Sequence, residues 1–262
     1  MEIAFDAIGI EIANQAALNS LTENVGANGE ISRLTRKSGV LHGRCLKLGE
    51  GLEIWSVLYE AASGEVFSGD CRPAFRAKYE QKVAPWVMSE AAHEGEAVIH
   101  GFVDDTETEV LFELQNLTEV GTRIFEQKIL RVGLCGLAYR AEVLAAPEKP
   151  FWRSFDEITI NVIAGKNDWS VGGEVLDFSS LRNSFSGNDL YWIFLDAGDI
   201  KLEILVNQRA LNGEKLAVGA FLRADVWLQG HILGENNSRR RYEGVDRRHD
   251  TIDFWKSFKR PN

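Results

Sequence analysis

Along much of this chain, apolar and polar residues take turns one by one. Ile200, Leu202, Ile204 and Val206 are interleaved with Lys201 and Glu203, and Ile158, Ile160 and Val162 with Glu157, Thr159 and Asn161. Neighbouring side chains on an extended strand point to opposite faces, so a period of two buries one face and leaves the other polar. Gly-containing turns punctuate these runs at Leu48-Gly49-Glu50-Gly51, Asp196-Ala197-Gly198-Asp199 and Asn212-Gly213. Helical spacing is confined to three places. Asn14 is placed to cap a helix carrying Ala17, Leu18, Leu21 and Val25 on one face. Pro73 is predicted to open a second, with Phe75 and Tyr79 four apart and a stop near Pro85, and Val175, Phe178 and Leu181 suggest a third. The expected class is α+β, mainly antiparallel β, with few helices.

The run Ala145-Ala146-Pro147-Glu148-Lys149-Pro150 holds two prolines three apart, which forbid a continuing helix and favour extended chain. It divides the 262 residues into an expected domain over 1–146 and a second over 151–238, followed by a basic tail, 239–262, with Arg239-Arg240-Arg241 and Arg247-Arg248. The whole chain nevertheless carries a formal charge of −10, which repels phosphate backbones and anionic lipid surfaces. Nucleic-acid and membrane partners are therefore not expected. Cys45, Cys71 and Cys135 follow no zinc spacing, and their sparse, odd number suits a reducing compartment. The opening MEIAFDAIGI lacks the basic and long apolar regions of a secretory leader, so a soluble, cytoplasmic protein is expected.

Short strings recur. Phe5-Asp6-Ala7-Ile8-Gly9-Ile10 is echoed by Phe155-Asp156-Glu157-Ile158-Thr159-Ile160, and Leu52-Glu53-Ile54 by Leu202-Glu203-Ile204, both at an offset of 150. Val40-Leu41-His42-Gly43 is echoed by Val98-Ile99-His100-Gly101, and Arg140-Ala141-Glu142-Val143 by Arg223-Ala224-Asp225-Val226. Such self-similarity suggests two related halves. The opening Phe5–Ile12 segment, the helix after it and the Gly49-Glu50-Gly51 turn leading to Leu52-Glu53-Ile54 resemble the βαβββ module of the vicinal oxygen chelate (glyoxalase-like) superfamily. The resemblance implies paired modules forming a cupped sheet around a metal. Its first-strand ligand position falls on Ala7, which cannot bind a metal, and in the second half on Glu157, which can.

The segment Phe221–Ile232 is the clearest functional candidate. Leu222, Ala224, Val226, Leu228 and Ile232 form an apolar face. The opposite face lines up Phe221, Arg223, Asp225, Trp227, Gln229 and His231, an inventory of cation, anion, indole, amide and imidazole suited to recognition. Thr159 and Asn161 would join it from the strand that opens the second half. A competing reading is structural: polar strand faces are usually just solvated, and Arg140 and Glu142 repeat the Arg223 and Asp225 pair. Asp104, Asp105, Glu107 and Glu109 lack EF-hand spacing and are read as a solvated hairpin tip. His42 and His100 are read as closing the same local turn.

The leading functional expectation is a non-catalytic ligand-binding or assembly module with no cofactor, forming a homo-oligomer through its seven Trp and other strand aromatics. The alternative is a glyoxalase-like metalloenzyme in which Glu157 and His231, with Asp225, hold a divalent cation that polarises a small oxygenated substrate. A third, an OB-like single-strand binder, leans on the basic tail.

Overall fold

The computed structural model describes residues 2–91, 96–120, 126–155 and 167–233. Glu157, Thr159, Asn161, the expected strand 158–162 and the tail 239–262 lie outside them. The described chain is mostly antiparallel strand with two α-helices, α1 (Glu2–Ala7) and α2 (Gln15–Asn28). None of its helices is long and apolar enough to cross a membrane.

Helix α2 starts where expected: the Asn14 side chain accepts a hydrogen bond from Ala17 N at 3.0 Å, and Leu21 and Val25 are buried. Three other local expectations fail for identifiable reasons. Phe5–Ile12 is not a strand. Ala4, Phe5, Ala7 and Ile8 are all buried, at the three- and four-residue spacings of the short helix α1, which docks on the large sheet. Pro73 opens no helix. It lies in β4 (Val66–Phe75), an outer strand of its sheet, where a missing N–H is tolerated. Val175, Phe178 and Leu181 lie in β10 (Asp168–Arg182) rather than in a helix. A bulge between Val175 and Asp177 adds one residue to the strand, so a three-residue spacing keeps Val175 and Phe178 on the same core.

A four-stranded sheet runs in the order β1 (Glu30–Arg36), β2 (Gly39–Gly49), β3 (Leu52–Ala61), β4. The β2–β3 turn needs three consecutive left-handed residues, and Gly49 and Gly51 flank Glu50 there, with φ of 89°, 87° and 51° respectively. The second sheet has ten strands: β5 (Glu80–Ala91), β6 (Glu96–Val103), β7 (Glu109–Leu114), β8 (Leu130–Leu144), β9 (Phe151–Ser154), β10, β11 (Asp189–Asp196), β12 (Lys201–Asn207), β13 (Leu211–Gly213) and β14 (Phe221–Ile232). It draws strands from both sides of residues 145–150, and the halves do not form separate sheets.

The axis of the large sheet is the antiparallel ribbon of β8 and β14, paired from Phe221↔Leu144 to Ile232↔Val132. At one end β12, β11 and β10 connect the outer edges of this ribbon; at the other, β5, β6 and β7 do. Each set closes a five-stranded ring with β8 and β14 (β8-β12-β11-β10-β14 and β8-β5-β6-β7-β14). One continuous apolar core fills both, from Ile99, Phe112 and Val132 to Val171, Ile193 and Ile204.

The echoes acquire local explanations. Arg140-Ala141-Glu142 and Arg223-Ala224-Asp225 are antiparallel partners across the ribbon, with Arg223 opposite Glu142 and Asp225 opposite Arg140. Opposite charges facing each other across strands are favourable, so the matching string follows from pairing. His42 meets Glu60 at 3.0 Å and His100 meets Glu109 at 2.5 Å, each on the next strand of its own hairpin. Leu52-Glu53-Ile54 and Leu202-Glu203-Ile204 each bury a glutamate in a strand.

Candidate functional site

The alternation expected for Phe221–Ile232 holds. Leu222, Ala224, Val226, Leu228 and Ile232 face the ring core. The polar face is not a single open surface. Arg223 lies exposed at one end, in an ion pair with Glu148 at 3.0 Å, and Asp225 is half-buried. Trp227 packs with α1 and the small sheet, while Gln229 and His231 are fully buried beneath that sheet.

Strand β3 turns Glu53 and Trp55 toward the large sheet, while Leu52 and Ile54 pack with Leu21 and Val25 of α2. Between the sheets lies a buried layer of charge. Glu53, 2% exposed, accepts from Trp55 Nε1 at 3.0 Å and from Arg76 Nε at 2.7 Å, and meets His231 Nε2 at 3.3 Å. Arg76 also reaches Glu119 at 3.0 Å, and Arg72 pairs with Glu113 alongside. Gln229 Nε2 donates to the Pro73 carbonyl at 2.8 Å. Burial opposes charge on Glu53. The hydrogen bond and charge of His231, with the Arg76 guanidinium, outweigh it and hold the carboxyl well below the usual carboxylate range. Burial likewise works against Arg76, and Glu53 and Glu119 more than restore its cationic form. These pairings join the two sheets, and of the groups in them Arg76, 28% exposed, is the one that reaches solvent.

An open concavity lies elsewhere, between strand β9, the β6–β7 hairpin tip and the turn after β11. It is a cleft of about 650 Å³. Strand β7 pairs with β14 over only Gln229↔Glu113 and Gly230↔Leu114, so the carbonyls of its earlier residues lack a strand partner there. Two indoles supply the missing donors: Trp152 Nε1 donates to Glu109 O at 2.9 Å and Trp169 Nε1 to Leu111 O at 3.0 Å. The rings stack at 4.6 Å between centroids, 27° apart, and form the apolar wall with Leu111 and Phe151. Carboxylates of Glu107, Glu109 and Asp199 stand in the lining, and Asp199 accepts from Thr108 Oγ1 at 2.8 Å.

None of Arg223, Asp225, Trp227, Gln229 or His231 lines this cleft. Its own residues were legible only in part: Glu107 and Glu109 do sit at a hairpin tip, and Pro150 does precede a new strand, but that these segments meet depends on the ring closure. Among the described residues, no three His, Cys, Asp or Glu side chains converge as metal ligands. His231 is engaged with Glu53, and Glu157 lies outside the described residues.

A family described as a domain of unknown function (DUF3881, "E. rectale Gene description") matches residues 159–230, which reach through β10 to β13 and most of β14. No curated protein and no solved structure matches the chain.

Proposed function

We propose that this chain is a non-catalytic ligand-binding module whose ligand lies in the cleft between β9, the β6–β7 tip and the turn after β11. The observation that carries this reading is the stacked Trp152–Trp169 pair, set in the wall of a cleft with carboxylates in its lining. A volume of about 650 Å³ suits a small molecule, and flat apolar faces beside a few fixed polar groups are the usual makeup of such sites. Placing the ligand here, rather than on the polar face of β14, follows from access: Gln229 and His231 are fully buried.

Saturation-transfer NMR with a mixed panel of cationic, anionic and neutral small molecules tests the reading. Ligand signals seen with the native chain should vanish with Trp152→Leu. Signals of equal strength in that variant, with native far-UV circular dichroism and a cooperative urea transition, would place binding elsewhere.

Self-association belongs to the same proposal. Trp86 is 68% exposed at the bulge of β5, with the His100 and Phe102 rings at 5.2 and 6.3 Å. Exposed aromatic clusters are typical of subunit contacts. Sedimentation equilibrium should show an oligomer that Trp86→Ser disperses; a native monomer at micromolar concentration overturns it.

A further inference from the structure

Resting on the cleft as the ligand site, we infer that its ligand is an aliphatic polyamine, an apolar carbon chain bearing several ammonium groups. Three features of the lining point to this chemistry. The charged residues in it are Glu107, Glu109 and Asp199, with no Lys, Arg or His among the described lining residues; Glu109 is paired with His100 beside the cleft, so its negative charge rests on Glu107 and Asp199. An anion would meet repulsion there, whereas a cation is drawn in, and the formal charge of −10 on the whole chain acts in the same sense.

The hydrogen-bond inventory is equally one-sided. Both indole N–H groups are already donated to backbone carbonyls, and the Thr108 hydroxyl donates to Asp199. Ser154 apart, whose hydroxyl both donates and accepts, the polar side chains of the lining present acceptors beside ring faces, which favours a ligand that brings the donors. A sugar needs both donors and acceptors in return. An ammonium brings donors alone, and its methylene chain lies against an indole face, where cation–π attraction adds to apolar contact. Glu107 and Asp199, two carboxylates in one cleft, match more than one ammonium, and the cleft, at about 650 Å³, exceeds what a single small ammonium group fills.

Calorimetric titration of the full chain at low salt tests this with three probes: spermidine, its uncharged triacetyl derivative and maltose. Spermidine should saturate one site and the other two should give no heat. Glu107→Gln and Asp199→Asn, both exposed positions, should each weaken spermidine by roughly fivefold, as expected for loss of one charge contact. If maltose or the triacetyl derivative binds as well as spermidine, and Trp152→Leu abolishes that binding, the cleft remains the ligand site and the polyamine is wrong. Spermidine binding that neither carboxylate substitution changes also overturns the inference, as does its full displacement by equimolar magnesium chloride, which would reduce the site to bare charge. If none of the probes binds, the polyamine inference fails, and the cleft reading is then decided by the mixed-panel NMR.

Discussion

Glu53→Gln removes the central charge of the layer between the sheets while keeping the shape of the side chain. The native carboxylate receives Trp55 Nε1, Arg76 Nε and Arg76 Nη2 at 3.0, 2.7 and 3.2 Å, with His231 at 3.3 Å. A glutamine offers one acceptor oxygen in place of two, and its NH2 then points at other donors. Arg76, half-buried, is left with Glu119 as its remaining acidic partner at 3.0 Å. Breaking a fully buried ion pair from one side costs about 3–5 kcal/mol; because Arg76 is 28% exposed and keeps Glu119, the loss falls toward the low end, about 3 kcal/mol. Against a typical total of roughly 5–15 kcal/mol this is a large share, equivalent to a fall in Tm on the order of 10 °C.

The acid side of the stability curve supplies a second readout. Folding holds Glu53 below its unfolded pKa, so the unfolded chain binds more protons in the interval between the two values. The contribution of Glu53 is then fully present above the usual carboxylate range and is lost as pH falls through and below it. Each proton of difference gives a slope of about 1.4 kcal/mol per pH unit. Urea titrations from neutral pH to about pH 3 should show a lower midpoint for the variant and a shallower acid decline. A loss below about 1 kcal/mol at neutral pH, or an acid limb as steep as that of the native chain, would refute the claim that this carboxylate is buried and charged.

Two further perturbations probe the frame around it. Asn14→Ala removes the cap on Ala17 N and should cost about 1 kcal/mol by urea unfolding with the large sheet intact; no change would mean that the cap is idle. Gly172→Ala sets a Cβ 2.1 Å from Phe151 Cε1, which forces that ring out of the cleft wall. Ligand signals should weaken in this variant more than stability falls, and unchanged binding would detach Phe151 from the site.

What could be read from the sequence was the alternation of individual strands and the cap at Asn14. Both depend on residues within one turn or one strand. The failures share a cause: the deciding contact was distant in sequence. Ala4, Phe5 and Ile8 were ambiguous until strands β8 and β12 covered them. The spacing of Val175 and Phe178 imitated a helix because a bulge, invisible without β11, shifted the period. Arg223, Trp227 and His231 share one face in the sequence pattern and in the strand, but a strand pattern does not reveal that the small sheet lies over only part of it. The cleft joins Glu107, Trp152 and Asp199 from three separate segments, and no local signal connects them.

The shared ribbon also bears on how the chain reaches its native state. Strand β14 forms a wall of both rings, so neither can seal until residues 221–232 have arrived, and β5 to β8 must wait for a segment some hundred residues downstream. Pairing across so long a stretch of chain costs loop-closure entropy before its contacts form, and refolding after dilution from urea is expected to be slow for a chain of this size.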